Sequence, residues 1–223
     1  MRYSSQFNLP EIRHSYTSVI IRNADPGRFK KYSSGQILQR PCSNPEKLQV
    51  LLSGFSKTSI VNEMGDEDIL GFSMPGDVLG LSALAPLSMS CQIVFLTDAL
   101  IAELPLDEAM RLEVLVGGLG HGLCDLISRE LLRTQWRNRY VRCACVTTRV
   151  AQFLLEIGRR YAEIDFPSHK YRLFMPREDI AAFLGMTRCT LSRTLQMLGK
   201  RRMIDIDGRW IEIIDPVGLD KLD

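Results

Sequence analysis

The sequence has no run of about 18 apolar residues, the length a membrane-spanning helix needs; its most apolar stretch, Leu112 to Leu123, is cut by glycines and by His121. No membrane span is expected. The opening residues, MRYSSQFNLPEIRHSY, lack the apolar core of a secretory signal, so the chain is expected in the cytoplasm. Histidine is scarce and its three copies, His14, His121 and His169, stand far apart, which gives no support to a heme or a histidine-built metal centre. Six cysteines, at 42, 91, 124, 143, 145 and 189, are scattered without the even spacing of a disulfide scaffold and are expected to be reduced thiols. A nucleophile, base and orienter set is missing, as is a phosphate-cradling glycine loop beyond ordinary turns, so no enzyme is expected and no catalytic, metal or cofactor residue is assigned.

What is present is the composition of an ordinary globular protein: 45% hydrophobic and 24% charged in 223 residues, a length that suits two modest domains. The net charge of +2 says little; its distribution says more. Between Lys170 and Arg202 eight basic residues face two acidic ones, and from Met203 to Asp223 six acidic face two basic, so positive charge is focused on one segment.

From about Phe29 to Leu104 turn formers recur: SSG at 33, PCSNPE at 41, SG at 53, MGDE at 64, MPGD at 74 and SALAPLS at 82. Short runs lie between them, KLQVLLSG, SKTSIVN, DILGFS, CQIVFLT and ALIAELP, several alternating with period two. That spacing predicts a β-sandwich or barrel over 1–105.

After Pro105 proline vanishes to about Tyr140, while Val116, Leu119, Leu123, Ile127, Glu130, Thr134 and Val141 recur at threes and fours. This predicts a long amphipathic helix within 106–142, and its part-polar stripe suits a seam between two copies of the chain. Val116, Leu119, Leu123, Ile127, Glu130 and Thr134 are the candidate dimer contacts. Gly117, Gly118, Gly120 and Gly122 each cost about 1 kcal/mol in a helix interior; they allow close approach of two helices, mark a place where the helix loosens, or split it in two.

The third segment, 143–223, opens with a helix from Thr147 to about Tyr161 that carries Val150, Phe153, Leu154 and Ile157 on one face. REDIAAFLG then reads as a short helix with Gly185 as its left-handed cap, and a second helix starts at Thr187 as N-cap and runs to about Lys200. That is helix-turn-helix spacing. Leu191, Leu195 and Leu198 anchor the second helix, leaving Cys189, Ser192 and Arg193 outward with Arg188 and Thr190 beside them. Arginine and serine in the first turns suit a DNA major groove, and Lys200, Arg201 and Arg202 fall where phosphates would run. MIDIDGRWIEII follows as two alternating strands joined at Asp207-Gly208, so the whole reads as a winged helix. Candidate DNA contacts are Thr187, Arg188, Cys189, Thr190, Ser192, Arg193, Lys200 and Arg201, with double-stranded DNA as the partner.

On these residues the sequence resembles the CRP/FNR transcription regulators. NEMGDEDILGFSMPGDVLGLSAL is similar to the family's sensor-barrel turns, TRVAQFLLEIGRRYA to the helix opening its DNA-binding domain, and DIAAFLGMTRCTLSR to its recognition motif. The resemblance, nearer the FNR branch, implies an α+β chain: a cyclic-nucleotide-binding-like β-barrel, a dimerisation helix and a winged helix. It also implies a homodimer on a palindromic promoter site that recruits RNA polymerase. Where relatives that bind cyclic AMP carry Glu and an Arg-Ser pair, this sequence has Leu81 and Met89-Ser90, which would leave a buried phosphate without its counter-charge. The cysteines that hold the FNR iron-sulfur cluster are also missing: none precedes Cys42, the barrel position is Ala102, and Cys143 and Cys145 on a helix point apart. The small-molecule effector stays unassigned.

In the recognition pattern Cys189 replaces a glutamate that accepts from cytosine in relatives. A thiol accepts poorly, so base reading there is expected to be relaxed or altered. Placed at a helix N-terminus near Arg188 and Arg193, the thiol is also a candidate redox switch, since oxidation would put bulk into the groove. The bland alternative is a small groove-facing residue. The second functional reading is a ligand- or redox-sensing module that has lost sequence-specific DNA binding.

Overall fold

The computed structural model describes residues 26–39, 47–61, 64–65, 67–80, 91–105, 107–108, 124, 127–135 and 145–222. The chain divides into two compact units, Met1–Glu130 and Leu131–Asp223. The first unit carries β1 (Phe29–Tyr32), β2 (Ile37–Gln39), β3 (Lys47–Ser53), β4 (Ser56–Val61), β5 (Glu67–Ser73), β6 (Val78–Leu79), β7 (Cys91–Phe95) and β8 (Ala99–Pro105). They form two four-stranded sheets, in the orders β1-β8-β3-β6 and β2-β7-β4-β5, with antiparallel neighbours. Successive strands mostly change sheet, as in a jelly roll, which is how eight short strands bury one face each.

The interior is the face that period-two alternation assigns to it. Leu51, Leu79, Ala99 and Ile101 of one sheet meet Ile93 and Phe95 of the other, and Tyr32 packs against them with its ring 4.7 Å from that of Phe95. β8 is buried along nearly its whole length, which explains its almost unbroken apolar run. Its one carboxylate, Glu103, is 6% exposed and receives Lys30 at 2.9 Å, Lys47 at 3.3 Å and Gln49 at 3.0 Å. Burial works to raise its pKa, but Lys30, Gln49 and Lys47 hold it below the usual carboxylate value.

The second unit holds α1 (Val146–Glu163), β9 (Lys170–Arg172), α2 (Arg177–Phe183), α3 (Arg188–Lys200), β10 (Ile204–Asp207), β11 (Trp210–Ile213) and α4 (Pro216–Asp220). Val150, Phe153, Leu154, Ile157 and Tyr161 form the buried stripe of α1, at the helical spacing the sequence displays. The strands make one antiparallel sheet in the order β10-β11-β9.

The helices α1, α2 and α3 stop in the same way. After α1, α2 and α3 the residues Asp165, Gly185 and Arg202 take left-handed φ of 60°, 64° and 56°. The paired return bonds of a Schellman motif accompany them: Phe166 N to Tyr161 O, Met186 N to Ala181 O and Met203 N to Leu198 O, with Asp165 N to Ala162 O, Gly185 N to Ala182 O and Arg202 N to Gly199 O inside. Only glycine takes that φ at no cost; an L-residue there gives up about 1–2 kcal/mol. The helix-turn-helix junction has the glycine, so its turn is the least strained of the three.

Three features depart from the sequence expectation. The wing turn centres on Gly208 and Arg209, with Asp207 opposite Trp210, one residue beyond the Asp207-Gly208 junction expected. Gly208 has φ of 59° while Arg209 is not among the left-handed residues, which fits a turn needing glycine at its first central position only. β9 and α4 have no counterpart in the sequence expectation. β9 forms because β11 pairs with it, and α4 is set by Pro216 and by Asp215, whose carboxylate accepts from Gly218 N at 2.8 Å.

Of the expected long helix, residues 127–135 are helical; Val116, Leu119, Leu123 and the glycines at 117, 118, 120 and 122 lie outside the described residues. Leu81, Met89 and Ser90 also lie outside them. Among the described residues no helix is long and apolar enough to cross a membrane, and no three His, Cys, Asp or Glu side chains gather as a metal site.

Candidate nucleic-acid interface

The sequence of α3 splits it into two faces. Leu191, Thr194, Leu195 and Leu198 are buried, fixing the helix to its unit. Opposite them Arg188, Cys189, Arg193, Gln196 and Lys200 are exposed, and Ser192 is half-buried at the margin. Cys189, Arg193, Gln196 and Lys200 follow one another at four, three and four residues, so they form a single stripe down the 13-residue helix, about 20 Å long. Gln196 is an addition to the expected contacts. The same periodicity picks it out, and glutamine is a side chain that can pair with adenine.

The N-terminal end is built tightly. Thr187 caps the helix by accepting from Thr190 N at 3.2 Å, and the two threonine hydroxyls lie 2.9 Å apart. Both are thereby engaged in the cap. Arg188 turns back to α2, its Nη1 2.7 Å from Glu178 Oε1. Cys189 is exposed. With Arg188 drawn to Glu178, one of the two cations expected beside the thiol is already neutralised. Arg193, Lys200, Arg201 and Arg202 have no acidic partner among the described residues.

A second cationic element, which the sequence reading does not assign, lies on the wing. Arg177, the first residue of α2, donates from Nη2 to Gly208 O at 3.2 Å, and Arg209 donates from Nη1 to Phe174 O at 3.4 Å. The Arg172 guanidinium sits 5.2 Å above the Phe174 ring. Burial first, and the like charge of Arg209 second, lower the Arg177 pKa; its Nη1 is buried with no partner among the described residues. Two guanidinium groups near enough to repel, with no carboxylate partner among the described residues, make a place where an anion is welcome. These bonds also stitch the surface together: Gly208 in the wing touches Arg177, and Glu178 beside it touches Arg188 at the head of α3. The wing turn, the start of α2 and the start of α3 therefore share one rim.

Of the expected dimer contacts, Ile127, Glu130 and Thr134 are described, and all three lie on the helical residues 127–135 with Ile127 exposed. Ile127 is 49%, Leu131 56% and Leu132 53% exposed, so this helical stretch carries exposed apolar side chains. A stripe drawn through 127, 130 and 134 passes over Leu131 and Leu132. Cys145, expected on a helix with Cys143, is instead an extended residue just before one, and Cys143 lies outside the described residues. Cys145 is the N-cap residue of α1, where the backbone and side chain of Thr148 first, and Thr147 after it, stabilise the thiolate and draw the thiol down to about 7.

Comparison with known proteins places the two units separately. Residues 29–112 match the model of the cyclic nucleotide-binding domain and residues 148–222 that of the Crp-like helix-turn-helix domain. The chain is 30% identical over 195 residues to the anaerobic regulatory protein of Pasteurella multocida, covering 87% of this chain and 71% of that one. It is 31% identical over 169 residues to the transcriptional regulatory protein btr of Bordetella pertussis, covering 76% and 70%. Among solved structures, FixK2 of Bradyrhizobium japonicum superposes with a TM-score of 0.75 at 24% identity, over 87% of this chain and 96% of that one, a likeness of fold.

Proposed function

The chain belongs to the CRP/FNR family of DNA-binding transcription regulators, and from that premise we propose that it acts as a homodimer on a palindromic promoter site, reading each half-site with α3. In this reading 1–105 is the sensor barrel, 106–142 the dimerisation helix and 143–223 the DNA-binding domain, and the bound dimer recruits RNA polymerase. The observation that carries it is the stripe Cys189, Arg193, Gln196 and Lys200, exposed on a helix whose other face is locked down by Leu191, Leu195 and Leu198. Arg193, Gln196 and Ser192 are placed to meet base edges. Lys200, Arg201 and Arg202 at one end, and the exposed Arg209 at the wing, are placed to meet phosphates, with the half-buried Arg177 adding its charge nearby. Two such helices about 34 Å apart enter successive major grooves on one side of a duplex.

The proposal is tested by salt. A sequence selected from a random duplex pool with the full chain should bind with an affinity that falls steeply as salt rises. The slope of log K against log salt should drop by about 0.9 for each phosphate partner removed when Lys200, Arg201 and Arg202 are changed to glutamine. A slope unchanged in that variant would show that these cations do not meet the backbone.

Leu81, Met89 and Ser90 in place of the charged and polar set used by cyclic-AMP-binding relatives argue for a barrel that works without a cyclic nucleotide. The exposed Cys189 is our candidate for the signal-responsive position on the DNA face. Peroxide should weaken operator binding by wild type and leave Cys189→Ala unaffected; equal loss in both removes the switch. One observation favours the second reading, a sensing module without sequence-specific DNA binding: Cys189 accepts poorly and Arg188 is occupied by Glu178, so two positions of the reading helix are weakened. Failure of the pool selection to enrich any sequence would decide for it.

A further inference from the structure

Besides the packing of the Phe153 ring of α1 on Phe183 of α2, 5.9 Å between centroids, a polar side chain outside the exposed stripe ties α1 to the helix-turn-helix. Arg149 lies in the first turn of α1, and its Nη1 donates to Leu184 O at 3.0 Å and to Gly185 O at 3.3 Å. Those two carbonyls sit at the junction between α2 and α3. The return bonds that close α2 use Ala181 O and Ala182 O, leaving the carbonyls of Leu184 and Gly185 to find a partner outside the helix. A cation aimed at them meets the negative end of the α2 dipole as well as the hydrogen-bond acceptors. Leu184 is fully buried, and the Arg149 Nε is buried with no partner, so the guanidinium is held by these bonds and by packing. Two residues after Gly185 the chain reaches Thr187, the cap of α3.

We propose that Arg149 is a positioning residue for sequence recognition: by clamping the α2–α3 turn to the first turn of α1 it fixes the angle at which α3 is presented, and with it the half-site spacing the dimer accepts. The inference rests on the DNA-binding reading above. Its logic is that phosphate contacts are tolerant of small rotations of a helix, whereas side chains that pair with base edges are not. Loosening the clamp therefore removes discrimination before it removes binding. Both bonds leave the one nitrogen Nη1, which a lysine ammonium could imitate; what lysine lacks is the planar guanidinium whose buried Nε fixes where that nitrogen sits, so it restores the clamp only in part.

The test uses the full chain, a duplex site enriched by wild type from a random pool, the same site with its half-sites moved apart or together by one base pair, and an unrelated duplex of equal length. Wild type, Arg149→Met and Arg149→Lys are compared on all of them, with thermal unfolding in parallel. Arg149→Met is expected to bind the unrelated duplex within about twofold of wild type while losing about tenfold on the selected site, a change of about 1.4 kcal/mol. Its preference among the three spacings should flatten, and Arg149→Lys should fall between. Equal weakening on selected and unrelated duplexes, or an unchanged spacing profile with full affinity, overturns the proposal. Should Arg149→Met fail to fold, Arg149→Lys decides: a folded variant with a broadened spacing preference supports the clamp, and one indistinguishable from wild type on every duplex reduces Arg149 to a stabilising role. A wild type that enriches no sequence from the pool overturns the DNA-binding reading first, a result distinct from failure of the clamp alone.

Discussion

Gly158→Val is expected to destabilise the helical unit by about 3 kcal/mol, the upper end of what overpacking a closed core costs. Gly158 is buried in the middle of α1, and a Cβ there would stand 2.3 Å from Ser168 O and 3.1 Å from the Tyr171 ring. Neither neighbour can give way cheaply. The carbonyl of His169, next to Ser168, accepts from Ile213 N at 2.6 Å, and Tyr171 is 2% exposed with its hydroxyl donating to Leu154 O. Valine adds a branch at Cβ, so no rotamer points all of it away. The gain in helix propensity over glycine is below about 1 kcal/mol and offsets only a part. Gly199→Ala in α3 supplies the contrast, because there a Cβ meets nothing nearer than Ile204 O at 3.9 Å. That change should raise stability by about 0.5–1 kcal/mol through propensity alone. Urea unfolding of both variants against wild type checks the pair, and a Gly158→Val protein as stable as wild type would show that the segment carrying Ser168 does not lie against α1.

The elements legible in the sequence are those whose cause is local. KLQVLLSG, SKTSIVN, DILGFS, CQIVFLT and ALIAELP announce strands by alternation and by the turns that flank them, and each is a strand. The helix-turn-helix is legible because Gly185, Thr187 and the leucines at 191, 195 and 198 fix cap, start and buried face by spacing alone. β9 is illegible because three residues, Lys170–Arg172, hold no pattern; only their pairing with β11 makes them a strand. The wing turn reads one residue early because Asp-Gly is a strong turn signal, whereas the turn that forms has glycine first and arginine second.

The site divides along the same line. Arg193 and Lys200 follow from helical periodicity, and Gln196 follows from the same count. The Arg177–Arg209 pair and the Arg149 clamp join residues that are 32 and about 35 positions apart, which no window along the chain brings together. Glu178 looks, in sequence, like an acid stabilising the start of α2. Its role as the partner of Arg188 emerges only when α2 and α3 are placed side by side.

That partnership sets the expected ranking of the arginines on α3. Arg193→Ala should cost about 1–3 kcal/mol of specific affinity per half-site, roughly 5- to 150-fold, and relax the preference at one base pair. Arg193 is exposed and has no acidic partner among the described residues, so its guanidinium reaches a guanine edge without first giving up an ion pair. Arg188→Ala should cost less, because Arg188 must leave Glu178 at 2.7 Å before it can bond to DNA, and that exchange returns only the difference between two charge-assisted bonds. Both side chains of that pair are well exposed, at 66% and 57%, so water already weakens the competing bridge and the difference between the two variants will be moderate. Titrations of a selected duplex and of its single-base variants, repeated at several salt concentrations, separate the possibilities. If Arg193 pairs with a base, its removal changes the ranking of the duplexes and leaves the salt slope nearly constant. A uniform weakening across all of them, with the slope reduced by about one, would instead make Arg193 a phosphate partner and move base reading to Gln196 and Ser192.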